Sequence, residues 1–339
     1  MEKIKITDTT LRDGSHTVRH QFKIEEIEKI AGGLDAAGID IIEVGHGDGL
    51  AGSTCNYGFA KHTDIEMIQA AAGAVKNAMI ACLLLPGIGT VSDLKQAKKS
   101  GAKVVRVATH VTEADISSEH IREAKDMGFF VVGFLMMAHR ADANRIVEEA
   151  QKMASYGADV VYATDSSGAM LPNEVTEKIT ALKNNISIPV GFHSHNNLGL
   201  SIGNSLAAME AGATYIDGSL GGLGAGAGNT VTEMLVAVMN RMKYAHNADL
   251  FKTMDISTKI LEPIIKSHMI IGEDTLQDSM MLGYADVYSS FMLHAKRAAK
   301  RFNVDYREII LELGKKQAVG GQEDWIIEIA QKISEVKNS

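Results

Sequence analysis

Eight short apolar runs, each followed by a stretch with helical periodicity, take up the first two-thirds of this chain. They are Ile4–Thr7, Ile39–Val44, Ala78–Leu85, Val104–Ala108, Phe130–Met136, Val160–Thr164, Val190–His193 and Tyr215–Gly218. Most are continuous rather than alternating, which marks strands covered on both faces. Helical patterns such as Lys23–Ala37, Asn144–Tyr156 and Pro172–Lys183 lie between them, the last with its proline near the helix start. Several helices finish in a small-residue signature: Ala37-Gly38, Ser100-Gly101, Met127-Gly128, Tyr156-Gly157 and Ala211-Gly212. A glycine just past a helix supplies a left-handed cap and lets the next strand begin at once. Eight such units at a spacing of about 25 to 40 residues predict an α/β chain folded as a (β/α)8 TIM barrel. A doubly wound open sheet is the alternative, but it rarely needs eight such regular units.

After about residue 245 the strand signal stops. The helical patterns Asp255–Lys266, Ala285–Phe302, Asp305–Leu313 and Asp324–Val336 follow. The reading therefore divides the chain into a catalytic barrel, residues 1–245, and a helical C-terminal extension, residues 246–339, packed on the barrel or on a partner. With aromatics at only 5%, Ala, Ile, Val, Leu and Met must supply most of the core. A formal charge of −8 argues against a nucleic-acid surface. No stretch reaches the roughly 18 uninterrupted apolar residues of a membrane span. The first strand starts by Ile4, which leaves no room for a signal peptide, and Cys55 and Cys82 form neither a disulfide framework nor a metal-ligand spacing. A cytoplasmic setting is expected.

In barrels of this kind the chemistry sits at the C-terminal ends of the strands and on the loops that follow. That rule gathers Arg12, Asp13 and His16 after the first run, then Glu43, His46 and Asp48, then Arg106 and His110. Asp165 and Ser166 follow the sixth run, and His193, His195 and Asn197 end the seventh. On a strand, residues i and i+2 share a face, so His193 and His195 can approach one ion from one side. Two neutral imidazoles and the Asp13 carboxylate would leave positions open on an octahedral divalent ion, as a catalytic site requires. Each feature also has a plainer reading. The histidines could be a hydrogen-bonded pair, Arg12 could serve a structural ion network with Asp13 or Glu43, and His16 could cap a helix. His20, His62, His120, His139, His246, His268 and His294 have no constellation around them and read as structural or solvated. The run Gly221–Asn229 stands where barrels hold phosphate but lacks the third glycine of G-x-G-x-x-G and the Lys-Ser/Thr of a P-loop. A phosphate cradle and a tight packing turn are both consistent with it.

Thr9–Gly14 and His193–Asn197 together resemble the metal-dependent lyase superfamily of barrels, which includes hydroxymethylglutaryl-CoA lyase and the isopropylmalate and homocitrate synthases. The chain is most similar to the 4-hydroxy-2-oxovalerate aldolases within that group. Val44–Leu50, Asn56–Phe59, Leu83–Gly89, Arg106–His110, Gly133–Met137, Gly224–Asn229, Tyr284–Phe291 and Val319–Asp324 carry the resemblance, which runs nearly end to end. It implies retro-aldol cleavage of 4-hydroxy-2-oxoacids to pyruvate and a short aldehyde. Asp13, His193 and His195 match the family's ligands for a divalent metal, usually Mn2+, with Mg2+ or Co2+ as substitutes. Arg12 matches the arginine that stabilises the pyruvate enolate, and His16 the base for the C4 hydroxyl. Tyr288 matches a tyrosine at the aldehyde end, Leu83 and Leu85 match positions near the alkyl tail, and Ser166 a polar residue beside pyruvate. The resemblance also implies an acylating acetaldehyde dehydrogenase partner docked through the C-terminal extension.

The chemistry is coherent without a Schiff-base lysine. Breaking C3–C4 leaves an electron pair that the adjacent carbonyl accepts if its oxygen is held by positive charge. Ser166-Ser167-Gly168, Asn196 and an apparent short insertion at Gln277–Met281 depart from the family's pattern and bear on tail preference and gating. Two other readings are an acyl-CoA-dependent Claisen-type synthase or lyase of the same superfamily, and a non-catalytic metal-binding scaffold. The first needs a CoA site and, for the lyase, a well-placed cysteine. The second would have no use for Arg12, His16 and Tyr288.

Overall fold

The apolar runs become strands and the stretches between them become helices, in strict alternation. In a computed structural model that describes residues 2–268 and 275–338, the order is β1 Lys5–Leu11, α1 Ile24–Ala36, β2 Ile41–Val44, α2 Asp64–Ala74, β3 Met79–Leu84 and α3 Val91–Lys99. It continues with β4 Val104–His110, α4 Ser118–Asp126, β5 Phe130–Met136, α5 Ala143–Tyr156, β6 Val160–Asp165 and α6 Pro172–Asn185. The last units are β7 Val190–Ser194, α7 Ser201–Glu210, β8 Tyr215–Gly218 and α8 Thr232–Met242. Every strand pairs in parallel with the next, and β8 returns to β1 with Lys5 opposite Tyr215 and Asp8 opposite Gly218. The sheet is a closed barrel, which rules out the open doubly wound alternative.

Local chemistry sets the element ends. Thr63 and Thr90 accept the N–H groups of Glu66 and Asp93, whose carboxylates return to the threonine N–H groups, so α2 and α3 begin in capping boxes. The glycines expected behind the helices, Gly38, Gly101, Gly128, Gly157 and Gly212, all have positive φ. Between sheet and helices lies the main apolar core, from Ile6 and Leu34 to Val236 and Met239. A second, smaller layer fills the barrel itself: Ile41, Ala81, Leu83, Val104, Ala108, Val132, Phe134, Val160, Tyr162 and Tyr215. Its largest ring is admitted by a missing side chain, since a Cβ on Gly191 would lie 2.3 Å from Tyr162 Cε2. This plug closes the barrel below the strand ends.

Beyond the barrel, α9 Leu250–Asp255, a π-helical turn Ile256–Leu261 and α10 Glu262–Ser267 form one helical run whose Ile256 and Leu261 join the main core. This run starts earlier than the pattern Asp255–Lys266 predicts. The extension then adds α11 Leu276–Ala285, α12 Phe291–Phe302, α13 Tyr306–Lys315 and α14 Asp324–Asn338, around their own core of Leu282, Val287, Phe291, Ile309, Ile310 and Leu313. The single helix expected over Ala285–Phe302 is broken, because Asp286 adopts left-handed φ +59 and ends α11. Gln277–Met281, read as an insertion, lies wholly inside α11. Among the described residues no helix is long and apolar enough to cross a membrane.

Candidate active site

Strand β1 runs four residues past its apolar start, because its polar end Asp8-Thr9-Thr10 is buried and satisfied within the fold. The Asp8 carboxylate accepts the Thr10 N–H and the Thr232 hydroxyl, and the Leu220 N–H donates to Thr10 Oγ1. The chain then enters a 3-10 turn, Asp13–His16, which delivers Asp13 to the mouth. His193 and His195 reach the same point from β7. Asp13 Oδ2 lies 3.6 Å from Nε2 of each histidine, and all three residues are buried. Three ligand atoms therefore converge within 4.8 Å of one another.

The outer nitrogens fix how these rings point. His193 Nδ1 lies 2.8 Å from Asp217 Oδ2, and His195 Nδ1 lies 3.3 Å from the Ala225 carbonyl oxygen, so each ring presents Nε2 to Asp13. Asn229 Nδ2 donates to Asp13 Oδ2 at 2.7 Å, on the same oxygen that faces the two histidines. Burial works against the Asp13 charge, yet Arg12, His195, His193 and His16 outweigh it and hold this carboxyl well below the usual range. Burial lowers the His195 pKa to about 4, with Asp13 opposing, so the ring is neutral and its lone pair free near pH 7. Two neutral imidazoles and an ionised carboxylate, each oriented by a second group, form a donor set that fits a divalent cation.

A buried chain of charges runs beneath these ligands. Arg12 Nε donates to Glu43 Oε2 at 2.8 Å, and Arg106 Nη1 donates to the same oxygen at 3.0 Å. Arg106 also binds Asp217, which carries His193, while its guanidinium stacks on Phe134 and Tyr162. Three carboxylates, Asp13, Glu43 and Asp217, face two guanidiniums, so the cluster is one positive charge short. A cation at Asp13 would supply it. Arg12 Nη1 reaches the mouth beside the triad, 3.4 Å from Asp13 Oδ1.

His16 is partly exposed, with Nε2 3.9 Å from Asp13 Oδ1. Its ring lies against Gly47, where a Cβ would come within 2.3 Å of His16 Nε2, so a side chain at position 47 would displace the imidazole. Behind it stands His20, edge-on to His16 and stacked on His46, with its Nδ1 2.8 Å from the Ser15 hydroxyl. Burial and the neighbouring imidazoles push the His20 pKa down to about 2. From the extension comes Tyr288, half-buried; burial and the charges of Asp48 and Asp13 raise its pKa, with Arg12 opposing. Its phenol therefore stays protonated and lies within the field of the triad.

Residues 3–260 match the HMGL-like family model and residues 274–335 the DmpG-like communication domain. The 4-hydroxy-2-oxovalerate aldolase of Pelotomaculum thermopropionicum is 56% identical over 336 residues, covering 99% of this chain and 98% of the relative. The enzyme of the same name from Carboxydothermus hydrogenoformans is 55% identical, covering 98% of each. The chain belongs to the 4-hydroxy-2-oxovalerate aldolase family. Solved structures at lower identity share its fold. The N-terminal domain of a putative aldolase from Bacteroides vulgatus superposes with TM-score 0.74 at 24% identity, covering 88% of this chain and 98% of that one. The carboxyl transferase domain of Rhizobium etli pyruvate carboxylase with 3-hydroxypyruvate gives 0.81 at 16%, covering 99% and 61%.

In this aldolase-family barrel the other expected residues divide into two groups. Leu83 is buried in the barrel plug, and Leu85, two residues on, is partly buried against it. Ser166 is buried, with Oγ accepting the Met137 N–H at 2.9 Å. Glu43 and Arg106 join the charge chain. His110, in contrast, bonds Thr112 beside its own strand end, and Asp165 accepts the N–H groups of Ala169 and Met170 in its own loop. Asn197 is a scaffold group that holds the Ala227 N–H and the Ser167 carbonyl oxygen.

The glycine run is a packing turn rather than a phosphate cradle. Its Gly221, Gly222, Leu223, Gly224, Ala227, Gly228 and Asn229 N–H groups are all spent inside the protein. Its carbonyl at Ala225 and its Asn229 amide instead support His195 and Asp13. Sequence reading missed Asp217, Asn229, His20 and His139. An aspartate ending the buried run Tyr215–Gly218 was the available signal for the first. His139 gave none, since its partners Ser167 and Asp286 are distant in sequence, whereas His20 lies one helical turn from His16.

Proposed function

We propose that this chain cleaves 4-hydroxy-2-oxoacids of the 4-hydroxy-2-oxopentanoate type by a retro-aldol reaction, releasing pyruvate and a short aldehyde such as acetaldehyde. The observation that carries this reading is the convergence of Asp13, His193 and His195 with Arg12 at one barrel mouth. Near full-length identity to named aldolases supports it. Asp13, His193 and His195 would hold the divalent cation, with Mn2+ favoured and Mg2+ or Co2+ as alternatives. When bound, the cation supplies Lewis-acid polarisation of the 2-oxoacid.

The rest is done by side chains. Arg12, held in place by Glu43, directs a fixed positive charge at the C2 oxygen, where negative charge develops as C3–C4 breaks. The bonding pair moves into C2–C3 and onto that oxygen, giving the pyruvate enolate. His16 takes the proton from the C4 hydroxyl, so C4 leaves as a carbonyl. Protonation at C3 then gives pyruvate. Tyr288 stands at the aldehyde end with a hydroxyl able to hydrogen-bond the departing oxygen. Leu83 and Leu85 line the region for the alkyl tail, and Ser166 lies beside the pyruvate end. The helical extension would dock an acylating acetaldehyde dehydrogenase that takes the aldehyde, a reading supported by its match to a communication domain. We place its beginning near residue 246.

The deciding measurement is pyruvate release from 4-hydroxy-2-oxopentanoate with Mn2+, Mg2+ or Co2+ and after chelation. Release that vanishes with chelator and returns with Mn2+ is expected. Full activity in the stripped protein, or acetyl-CoA consumption in place of pyruvate release, would overturn the reading.

A further inference from the structure

Tyr288 belongs to the extension, not to the barrel, so something must hold it over the mouth. The path to it begins at Asp286, which ends α11 in the left-handed conformation and lies two residues before the phenol. Four contacts from two barrel loops converge on this one residue. The Ser167 hydroxyl donates to Asp286 Oδ1 at 2.9 Å, and His139 Nε2 lies 3.0 Å from the same oxygen. Arg140 Nε is 3.4 Å from Oδ2, and Arg140 Nη2 donates to the Asp286 carbonyl oxygen at 2.6 Å. Ser167 and His139 are themselves joined, with Oγ and Nδ1 3.2 Å apart. The loops after β5 and β6 are tied once more by the Met137 N–H on Ser166.

The two residues that follow leave no slack. Val287 is fully buried in the extension's core, with its N–H on the Leu282 carbonyl oxygen at 3.0 Å. The Tyr288 carbonyl oxygen accepts the Phe291 N–H at the start of α12. A displacement at Asp286 must therefore carry the phenol with it. Another close approach of α11 to the barrel is at Gly283, where a Cβ would meet Leu198 Cγ at 2.9 Å. That contact is apolar and fixes spacing, whereas the Asp286 cluster is directional.

We propose that Asp286 is a positioning residue: clamped by Ser167, His139 and Arg140, it sets where the Tyr288 hydroxyl stands and thereby the rate of carbon–carbon cleavage. This rests on the reading that Tyr288 serves the aldehyde end of a 4-hydroxy-2-oxoacid. Misplacing such a group by about 1 Å can cost on the order of 100-fold. The enolate end of the site, Arg12 and the cation ligands, does not depend on the clamp.

The test compares Asp286→Gly, Asp286→Asn, Tyr288→Phe and the double variant Asp286→Gly/Tyr288→Phe in the full chain with Mn2+. Glycine keeps the left-handed backbone at no steric cost and removes the three side-chain contacts, leaving only the Arg140 bond to the carbonyl oxygen. Two rates are read: pyruvate release from 4-hydroxy-2-oxopentanoate, and exchange of pyruvate methyl hydrogens with deuterated water, which needs only the enolate end. Asp286→Gly should lower kcat for cleavage by about 10-fold or more while KM and the exchange rate stay within about 2-fold. Asparagine, which retains the acceptor, should recover much of the loss, and the glycine effect should disappear in the Tyr288→Phe background. Wild-type cleavage by Asp286→Gly, equal falls in cleavage and exchange, or an undiminished loss without the Tyr288 hydroxyl would each overturn the proposal. A wild-type protein that neither cleaves nor exchanges would instead remove the aldolase reading, and the positioning role with it.

Discussion

Asp217 touches no substrate position, yet it decides what His193 can do. Its Oδ2 holds His193 Nδ1 at 2.8 Å and also meets Arg106, so it fixes both the tautomer and the ring's direction. Outer partners of this kind typically contribute 10- to 100-fold to metal affinity. Asp217→Asn should therefore weaken Mn2+ binding by about that factor in a calorimetric titration. Unchanged affinity would show that the ring is held by packing alone. Arg12 gives a second test. A lysine offers one point charge where Arg12 both grips Glu43 and faces the mouth. Arg12→Lys should lower kcat for pyruvate release by on the order of 100-fold or more. Cation affinity within a few-fold of wild type is expected with it; a comparable collapse in binding would assign Arg12 to the ligand scaffold.

At the end of β6, a buried carboxyl makes the barrel's stability depend on pH. Burial raises the Asp165 pKa to about 7, with the Ala169 and Met170 N–H groups opposing. A folded-state pKa above the unfolded value means the stabilisation is complete below about pH 4 and is lost as pH rises through about 7. Between pH 5 and pH 8 this one group should cost about 2 to 3 kcal/mol. Buried histidines with depressed pKa values, such as His195, slope the opposite way, so the readout is a difference. Urea denaturation should show Asp165→Asn gaining about 2 to 3 kcal/mol relative to the wild type between pH 5 and pH 8, and an unchanged difference would remove the assignment. Asp13 and Asp217 have depressed pKa values, so their contributions are lost only as pH falls below the usual carboxylate range and leave this window flat.

The same element shows what could be read in the sequence. Continuous apolar runs mark buried strands well, so all eight were legible, as was the convergence of Asp13, His193 and His195, because strand ends in a barrel are forced to one mouth. Strand β1 was read short because Asp8, Thr9 and Thr10 look like loop until Thr232 and the backbone beyond β8 satisfy them. The break at Asp286 was invisible for a similar reason, since its partners Ser167, His139 and Arg140 lie far away in sequence.

On the scale of the whole molecule there are two apolar cores, one of the barrel and one of the extension, joined near the mouth. Along α11 the side chains of Leu276, Met280 and Tyr284, spaced four apart on one helical face, are 74%, 50% and 71% exposed. If the extension docks the dehydrogenase, this stripe is the surface to test. Leu276→Glu with Tyr284→Glu should abolish co-elution with the acylating acetaldehyde dehydrogenase while pyruvate release stays within about 2-fold. Retained co-elution would move the contact elsewhere. The three residues of the proposed cation site are made at very different times. Asp13 leaves the ribosome early, but His193 and His195 follow roughly 180 residues later, a wait on the order of ten to forty seconds at ordinary elongation rates. Through that interval the Asp13 carboxylate has no His193 or His195 beside it. If Asp13, His193 and His195 hold a divalent cation, that site cannot be complete before the seventh strand is made.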